Sequence, residues 1–93
     1  MNSTNYKPLG RIDSSNALSH ERELLALLAN DVKSVTVDLS ELDYISSAGL
    51  RVLLVTAKAA KARGGKVVLS APRPSILEVL KISGFDRILE VQT

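Results

Sequence analysis

The chain contains no cysteine and no tryptophan, and Tyr6, Tyr44 and Phe85 are its only aromatic residues. Lack of cysteine excludes a disulfide framework, a thiolate metal site and a cysteine nucleophile, and suits a reducing compartment. With so few rings the core must be aliphatic, built from Leu, Val, Ile and Ala. No apolar run approaches the roughly 18 residues of a membrane span. The opening Met1-Asn2-Ser3-Thr4-Asn5 is polar and lacks the basic-then-apolar layout of a signal peptide. A cytoplasmic protein with no direct membrane insertion is therefore expected. Charge of one sign is also lacking: twelve basic and ten acidic residues leave a net +2. Lys58, Lys61, Arg63 and Lys66 form the densest basic group, but no aromatic residue is interleaved for stacking on bases. The group reads as a solvated helix end, and nucleic-acid binding is not supported.

What is present is an alternation of short apolar runs and helical patterns. Ninety-three residues suffice for one domain with one modest core. Tyr6 to Ile12 is a candidate first strand, weakened by Pro8 and Gly10. Asp13-Ser14-Ser15-Asn16 is rich in capping residues. The helix after it places Ala17, Leu18, Glu21, Leu24, Leu25 and Leu28 on one side, with His20 and Leu27 pointing the other way, and ends at Asn30-Asp31. Ser34 to Leu39 reads as a buried strand, and residues 40 to 46 turn the chain. A second helix covers about Ser47 to Ala62 and stops at Gly64-Gly65. Lys66 to Ser70 is a strand whose Val67-Val68-Leu69 run suggests burial on both faces. A third helix runs from Pro74 or Ser75 to Ile82, with Ile76, Leu77 and Leu80 inward. Gly84 closes it, Phe85 can pack back across the cap, and Ile88 to Val91 forms a last short strand or helical turn. This order predicts a small α/β domain with a mostly parallel sheet of four to five strands and about three to four helices.

Candidate chemistry concentrates at Tyr44-Ile45-Ser46-Ser47-Ala48-Gly49-Leu50, where an extended segment becomes a helix. A helix start exposes unpaired N–H groups and a partial positive charge, so a phosphoryl group is well received there. Ser46 and Ser47 are readable as helix caps or as a phosphorylation site. Ala48-Gly49 permits close approach of another molecule, or answers a packing need. Along the same helix Leu50, Leu53, Leu54 and Ala57 form a stripe for the sheet, and Val52, Val55, Ala59 and Ala62 form a second stripe. Either neighbouring helices cover that second stripe or it docks another protein. Asp13, Asp38 and Asp43 suggest a magnesium site or, more commonly, Asx turns and caps. No matched acid–base pair, nucleophile elbow or phosphate-binding loop is present, so no enzyme, cofactor or metal is expected.

These segments together resemble a known family. Gly10-Arg11-Ile12-Asp13, Val35-Thr36-Val37-Asp38-Leu39-Ser40, Tyr44 through Leu54, Gly64-Gly65-Lys66-Val67 and Ser83 through Leu89 are similar to the successive signatures of STAS domains. Bacterial anti-sigma factor antagonists belong to that group. The resemblance runs from about residue 10 to 91. It implies a single small STAS-like domain and a partner-switching role. The unphosphorylated antagonist binds an anti-sigma factor that is often also a serine kinase. Phosphorylation blocks binding, and a metal-dependent serine phosphatase reverses it. The match to Ala48 and Gly49 makes Ser47 the implied phosphoacceptor, with Ser46 the alternative. Asp13 and Asp38 match acidic positions near that serine in the family. The implied contact surface comprises Asp13, Asp38, Ser46, Ser47, Ala48, Gly49, Arg51, Val52 and Val55. A STAS subunit scaffolding a transporter or stress complex without a phosphorylation cycle is the other function such a domain implies. Two features depart from the pattern: Ser46 stands where some antagonists carry an acid, and the chain before Gly10 is short and polar where relatives usually have a longer apolar strand.

Overall fold

A computed structural model describes residues 3–93; Met1 and Asn2, part of the polar opening segment, lie outside the described residues. Strands β1 (Ser3–Tyr6), β3 (Ser34–Asp38), β5 (Val67–Ser70) and β6 (Glu90–Gln92) form one all-parallel sheet in the order β1-β3-β5-β6. A second, two-stranded parallel sheet pairs β2 (Gly10–Ile12) with β4 (Leu42–Ile45). Helices α1 (Ala17–Leu28), α2 (Ser47–Ala62), α3 (Pro74–Ile82) and the single turn α4 (Phe85–Ile88) supply the crossovers that parallel strands require. No helix among the described residues is long and apolar enough to cross a membrane.

Alternation along the strands puts the core on one face of the large sheet. Val35, Val37 and Leu39 of the β3 segment and Val67 and Leu69 of β5 join one buried cluster with Leu24 and Leu28 of α1, Leu53 of α2 and Ile76 and Leu80 of α3. The other face is polar. Asn5, Thr36, Val68 and Glu90 lie in one row across it, and Val68 is the single apolar member of that row. The sequence suggested an apolar run buried on both faces, as is usual for a central parallel strand. Val68 is indeed buried, as that reading expects, although it lies outside the main cluster.

Several expectations change at the N-terminal third. The stretch Tyr6 to Ile12 is not one strand: Lys7, Pro8 and Leu9 separate β1 from β2, which join different sheets. Pro8 has no N–H for a ladder, and Gly10 takes φ 72°, so the chain breaks where proline and glycine stand. Residues 40 to 46 are not only a turn but contain β4. In α1, Ala17, Leu24 and Leu28 are buried, whereas Leu18 is 56% exposed. His20 and Leu27 do not point outward. Leu27 packs against the core, and His20 meets β1 through Tyr6, ring edge to face at 5.9 Å. The bounds expected for α2 and α3 hold, and Ile76 and Leu80 are buried, but Leu77 is half-buried. In α2 the buried face is Gly49, Val52, Leu53, Thr56 and Ala60, so only Leu53 of the stripe expected on the sheet is fully buried, with Leu50, Leu54 and Ala57 half-buried. At the end of α2 the N–H groups of Gly64 and Gly65 donate to the carbonyls of Lys61 and Ala60 at 3.0 and 2.8 Å. With Gly64 at φ 82° this is a Schellman cap. The last segment is both things the sequence allowed, the turn α4 and then β6.

Helix α1 packs along α2, which partly explains the second apolar stripe: Val52 is buried, and Val55 and Ala59 are half-buried. Ala62 is exposed. On the side of the small sheet, α2 comes in very close at Gly49. A Cβ there would sit 2.6 Å from Ile45 Cγ1 and 3.0 Å from both Ile12 Cγ2 and the Ile12 carbonyl oxygen. Alanine is the better helix former by about 1 kcal/mol, but overpacking against a backbone atom costs about 1–3 kcal/mol. Gly49→Ala is therefore expected to lower stability by up to about 2 kcal/mol in urea unfolding; a raised midpoint would show that α2 does not need this close approach.

Candidate functional site

The small sheet delivers the serine pair to its position. Ile12 and Ile45 are register partners across β2 and β4, and the Ser46 N–H donates to the Ile12 carbonyl at 2.9 Å. This places Asp13 and Ser46 at adjoining chain exits from the same sheet. Ser46 is extended at φ −90° and ψ 175°, and its carbonyl accepts the first helical bond, from Leu50 N–H at 2.9 Å. Its hydroxyl accepts from Gly49 N–H at 3.2 Å. Ser46 is therefore the N-cap of α2, satisfying one of the donors a helix start leaves unpaired.

Ser47 is the first residue of α2 and differs in every relevant respect. It is exposed, and its hydroxyl makes no hydrogen bond among the described residues. Arg51 lies one turn further on, exposed and on the same side of the helix. Beside them runs a shallow groove of about 330 Å³ between the starts of α1 and α2, lined by Ser14, Ala17, Leu18, Glu21, Ala48, Arg51 and Val52. A phosphoryl group on Ser47 would meet the positive end of α2 and the Arg51 guanidinium.

The other candidate residues fall into distinct environments. Asp13 accepts hydrogen bonds from Ser15 Oγ at 2.5 Å and Ser15 N–H at 2.9 Å and pairs with Arg11 Nε at 2.8 Å. The Ser15 bonds, then Arg11, hold its carboxyl below the usual carboxylate range. Its carbonyl also accepts from Asn16 and Ala17, so Asp13 organises the entry to α1. Asp38 alternates with the core residues Val37 and Leu39 and so points to the polar face of the large sheet. Hydrogen bonding from Ser40, with the nearby charge of Lys7, depresses its pKa. No hydrogen bond or ion pair joins Asp38 to either serine among the described residues. Asp43 pairs with Arg73, whose Nε also donates to the Ser40 carbonyl at 2.8 Å. The three aspartates thus serve separate turns and pairs. Gly49 and Val52 are corrected as contact residues: both are buried, Val52 at 2% exposure, and Gly49 answers a packing need. Ser46, Ser47, Ala48, Arg51 and the half-buried Val55 remain on or near the surface of α2.

His20 Nδ1 lies 2.6 Å from the Tyr6 hydroxyl, which donates to Glu23 Oε2 at 2.7 Å. Burial first, and the Glu23 carboxylate second, push the Tyr6 phenol well above its usual range. The histidine is thereby tied to β1 and α1 and takes no part in a serine–histidine arrangement. Sequence reading missed Leu18, Leu9 and Tyr44 as surface features. Leu18 follows Ala17 by one position, which is about 100° around the helix, and the narrow buried stripe of Ala17, Leu24 and Leu28 leaves it outside. Tyr44 lies under the Arg11 guanidinium at 4.7 Å, a cation–π pair across the two register partners of β2 and β4.

The STAS domain family model matches residues 4–93. A Bordetella bronchiseptica protein, BtrV, named as a candidate anti-sigma factor antagonist, is 45% identical over 82 residues, covering 88% of this chain and 71% of BtrV. The crystal structure of a candidate anti-sigma factor antagonist from Thermotoga maritima superposes with a TM-score of 0.92 at 22% identity, over 99% of this chain and 80% of the other. The anti-sigma factor antagonist SpoIIAA in its unphosphorylated form superposes at 0.85 with 17% identity, over 98% of this chain and 80% of the other. The sequence relative shares the family, and the two structures share the fold.

Two measurements test the local assignments. Ser46→Ala, which removes the cap, is expected to cost about 1 kcal/mol, whereas Ser47→Ala stays within about 0.5 kcal/mol of the parent; equal losses in urea unfolding would contradict the division of roles. Because Asp13 and Asp38 titrate below their unfolded values, the stability they contribute is present above about pH 4 and is lost as pH falls through their folded values. Acid unfolding of Asp13→Asn and Asp38→Asn should accordingly show a weaker pH dependence below about pH 4 than the parent. A profile as steep as the parent's would remove these carboxylates from the account.

Proposed function

The chain belongs to the STAS family, and from that premise we propose that it is an anti-sigma factor antagonist that works by partner switching in the cytoplasm. In its unmodified form it binds an anti-sigma factor that is also a serine kinase. Transfer of a phosphoryl group to the Ser47 oxygen, with loss of the hydroxyl proton, ends binding, and a metal-dependent serine phosphatase restores it. The observation that carries this reading is the contrast between neighbours: the Ser46 hydroxyl is committed to capping α2, while the Ser47 hydroxyl is exposed and has no partner among the described residues. The groove holding Leu18, Ala48 and Arg51 lies beside it and offers apolar and cationic surface to a partner.

The switch can be weighed in energies. A phosphoserine carries roughly 1.5 to 2 negative charges at neutral pH. Within the free domain that charge is well placed, since the first turn of a helix stabilises an anion by about 0.3–1 kcal/mol. Phosphorylation therefore leaves the fold intact. Within a closed interface the same group must lose its hydration, and about 4 kcal/mol of uncompensated cost lowers affinity roughly a thousandfold. The effect falls on the complex rather than on the domain.

Titration of variants against the cognate kinase tests this. Ser47→Ala is expected to bind like the parent and to stay bound when ATP is added, whereas Ser47→Asp, carrying only one of the charges, binds at least about tenfold more weakly, a difference of about 1.4 kcal/mol. Parent-like binding by Ser47→Asp would falsify the proposed switch.

A further inference from the structure

A second groove lies at the opposite end of α2 from Ser47. It is a half-open groove of about 570 Å³ between the C-terminal half of α2, the start of β5 and the α4–β6 segment. Leu54, Ala57, Val67 and Leu89 supply an apolar lining, and Ile88, 61% exposed, forms one wall. Lys58 and Lys61, both exposed and three positions apart on α2, line the same groove, with Lys66 and Glu90 across it. Lys66 is already paired with Glu90 at 2.8 Å, whereas Lys58 and Lys61 make no ion pair among the described residues. In sequence these lysines read as a solvated helix end, and Lys61 does complement the negative end of α2. That role explains neither the apolar trough beside them nor the exposure of Ile88.

We propose that this groove binds a medium-chain fatty carboxylate, with its acyl chain along Leu54, Ala57, Val67 and Ile88 and its carboxylate between Lys58 and Lys61. Size and lining fit that class: ligand sites of a few hundred cubic ångströms are apolar with a small number of placed polar groups. Charge complementarity selects the head group, because the two free cations of the groove are lysines and its one acid is neutralised by Lys66. The site is remote from the serine pair and does not depend on the switching role.

Amide NMR titration with hexanoate, octanoate and decanoate, below their aggregation thresholds, provides the test. Saturable shifts are expected at Leu54, Lys58, Val67 and Ile88, with affinity rising about threefold for each added methylene. A Lys58→Gln/Lys61→Gln variant should bind decanoate at least fivefold more weakly and bind decanol as the parent does. Absence of saturable shifts, affinity independent of chain length, or shifts confined to the Ser47 end would each overturn the proposal. So would an acidic amphipathic peptide or anionic phosphatidylglycerol vesicles perturbing these residues when decanoate does not.

Discussion

The close seating of α2 on the β2–β4 pair is the contact on which the rest depends. Gly49 lies against Ile12 and Ile45 with no room for a side chain, and this sets the angle at which the helix leaves the small sheet. Ser46 is held from below by the Ile12 carbonyl and from ahead by the Gly49 N–H. The next residue must then emerge at the helix edge. Ser47 is free because Ser46 is not. One step of chain separates a structural hydroxyl from a chemically available one, and the difference comes from backbone geometry rather than from residue type.

A helix whose start is anchored in this way can carry a charge change without being rebuilt. The core beneath α2 is aliphatic and continuous, from Val52 and Leu53 through Leu69, Ile76 and Leu80, so rearrangement would have to break close packing. Thr56 is buried in that core, and its hydroxyl is satisfied by the Val52 carbonyl at 2.7 Å. Added charge at the exposed first turn meets the favourable end of the helix dipole. On the proposed reading, a phosphoryl group at Ser47 would be felt by whatever sits on the surface and hardly at all by the fold. The polar open face of the large sheet and the apolar groove at the far end of α2 are separate surfaces.

Much of the architecture was legible because period and punctuation agreed. The α3 helix, Pro74 to Ile82 followed by Gly84 at φ 79°, had proline at its start, glycine past its end and Ile76 and Leu80 one turn apart. The cap of α2 at Gly64-Gly65 was legible for the same reason. Burial of individual faces was less so. In α2 apolar residues surround the helix, so the sequence does not say that Val52, Leu53, Thr56 and Ala60 form its buried face rather than Leu50, Leu54 and Ala57. Leu42 to Ile45 escaped as a strand because Asp43 and Tyr44, both exposed, interrupt the period between two buried residues. His20 was misplaced because its partner, Tyr6, lies on a strand that the local pattern ran together with β2. At the site, composition showed two adjacent serines at a helix start, and in the structure the Ser46 cap bond and the exposure of Ser47 tell them apart.

Fragment-ion mapping of the protein after incubation with its cognate kinase and ATP addresses the central claim most directly. Phosphate placed on the Ser47 side-chain oxygen, with Ser46 unmodified, is the predicted result. Phosphate on Ser46, or an unmodified chain after kinase activity has been verified on a control substrate, would contradict the account.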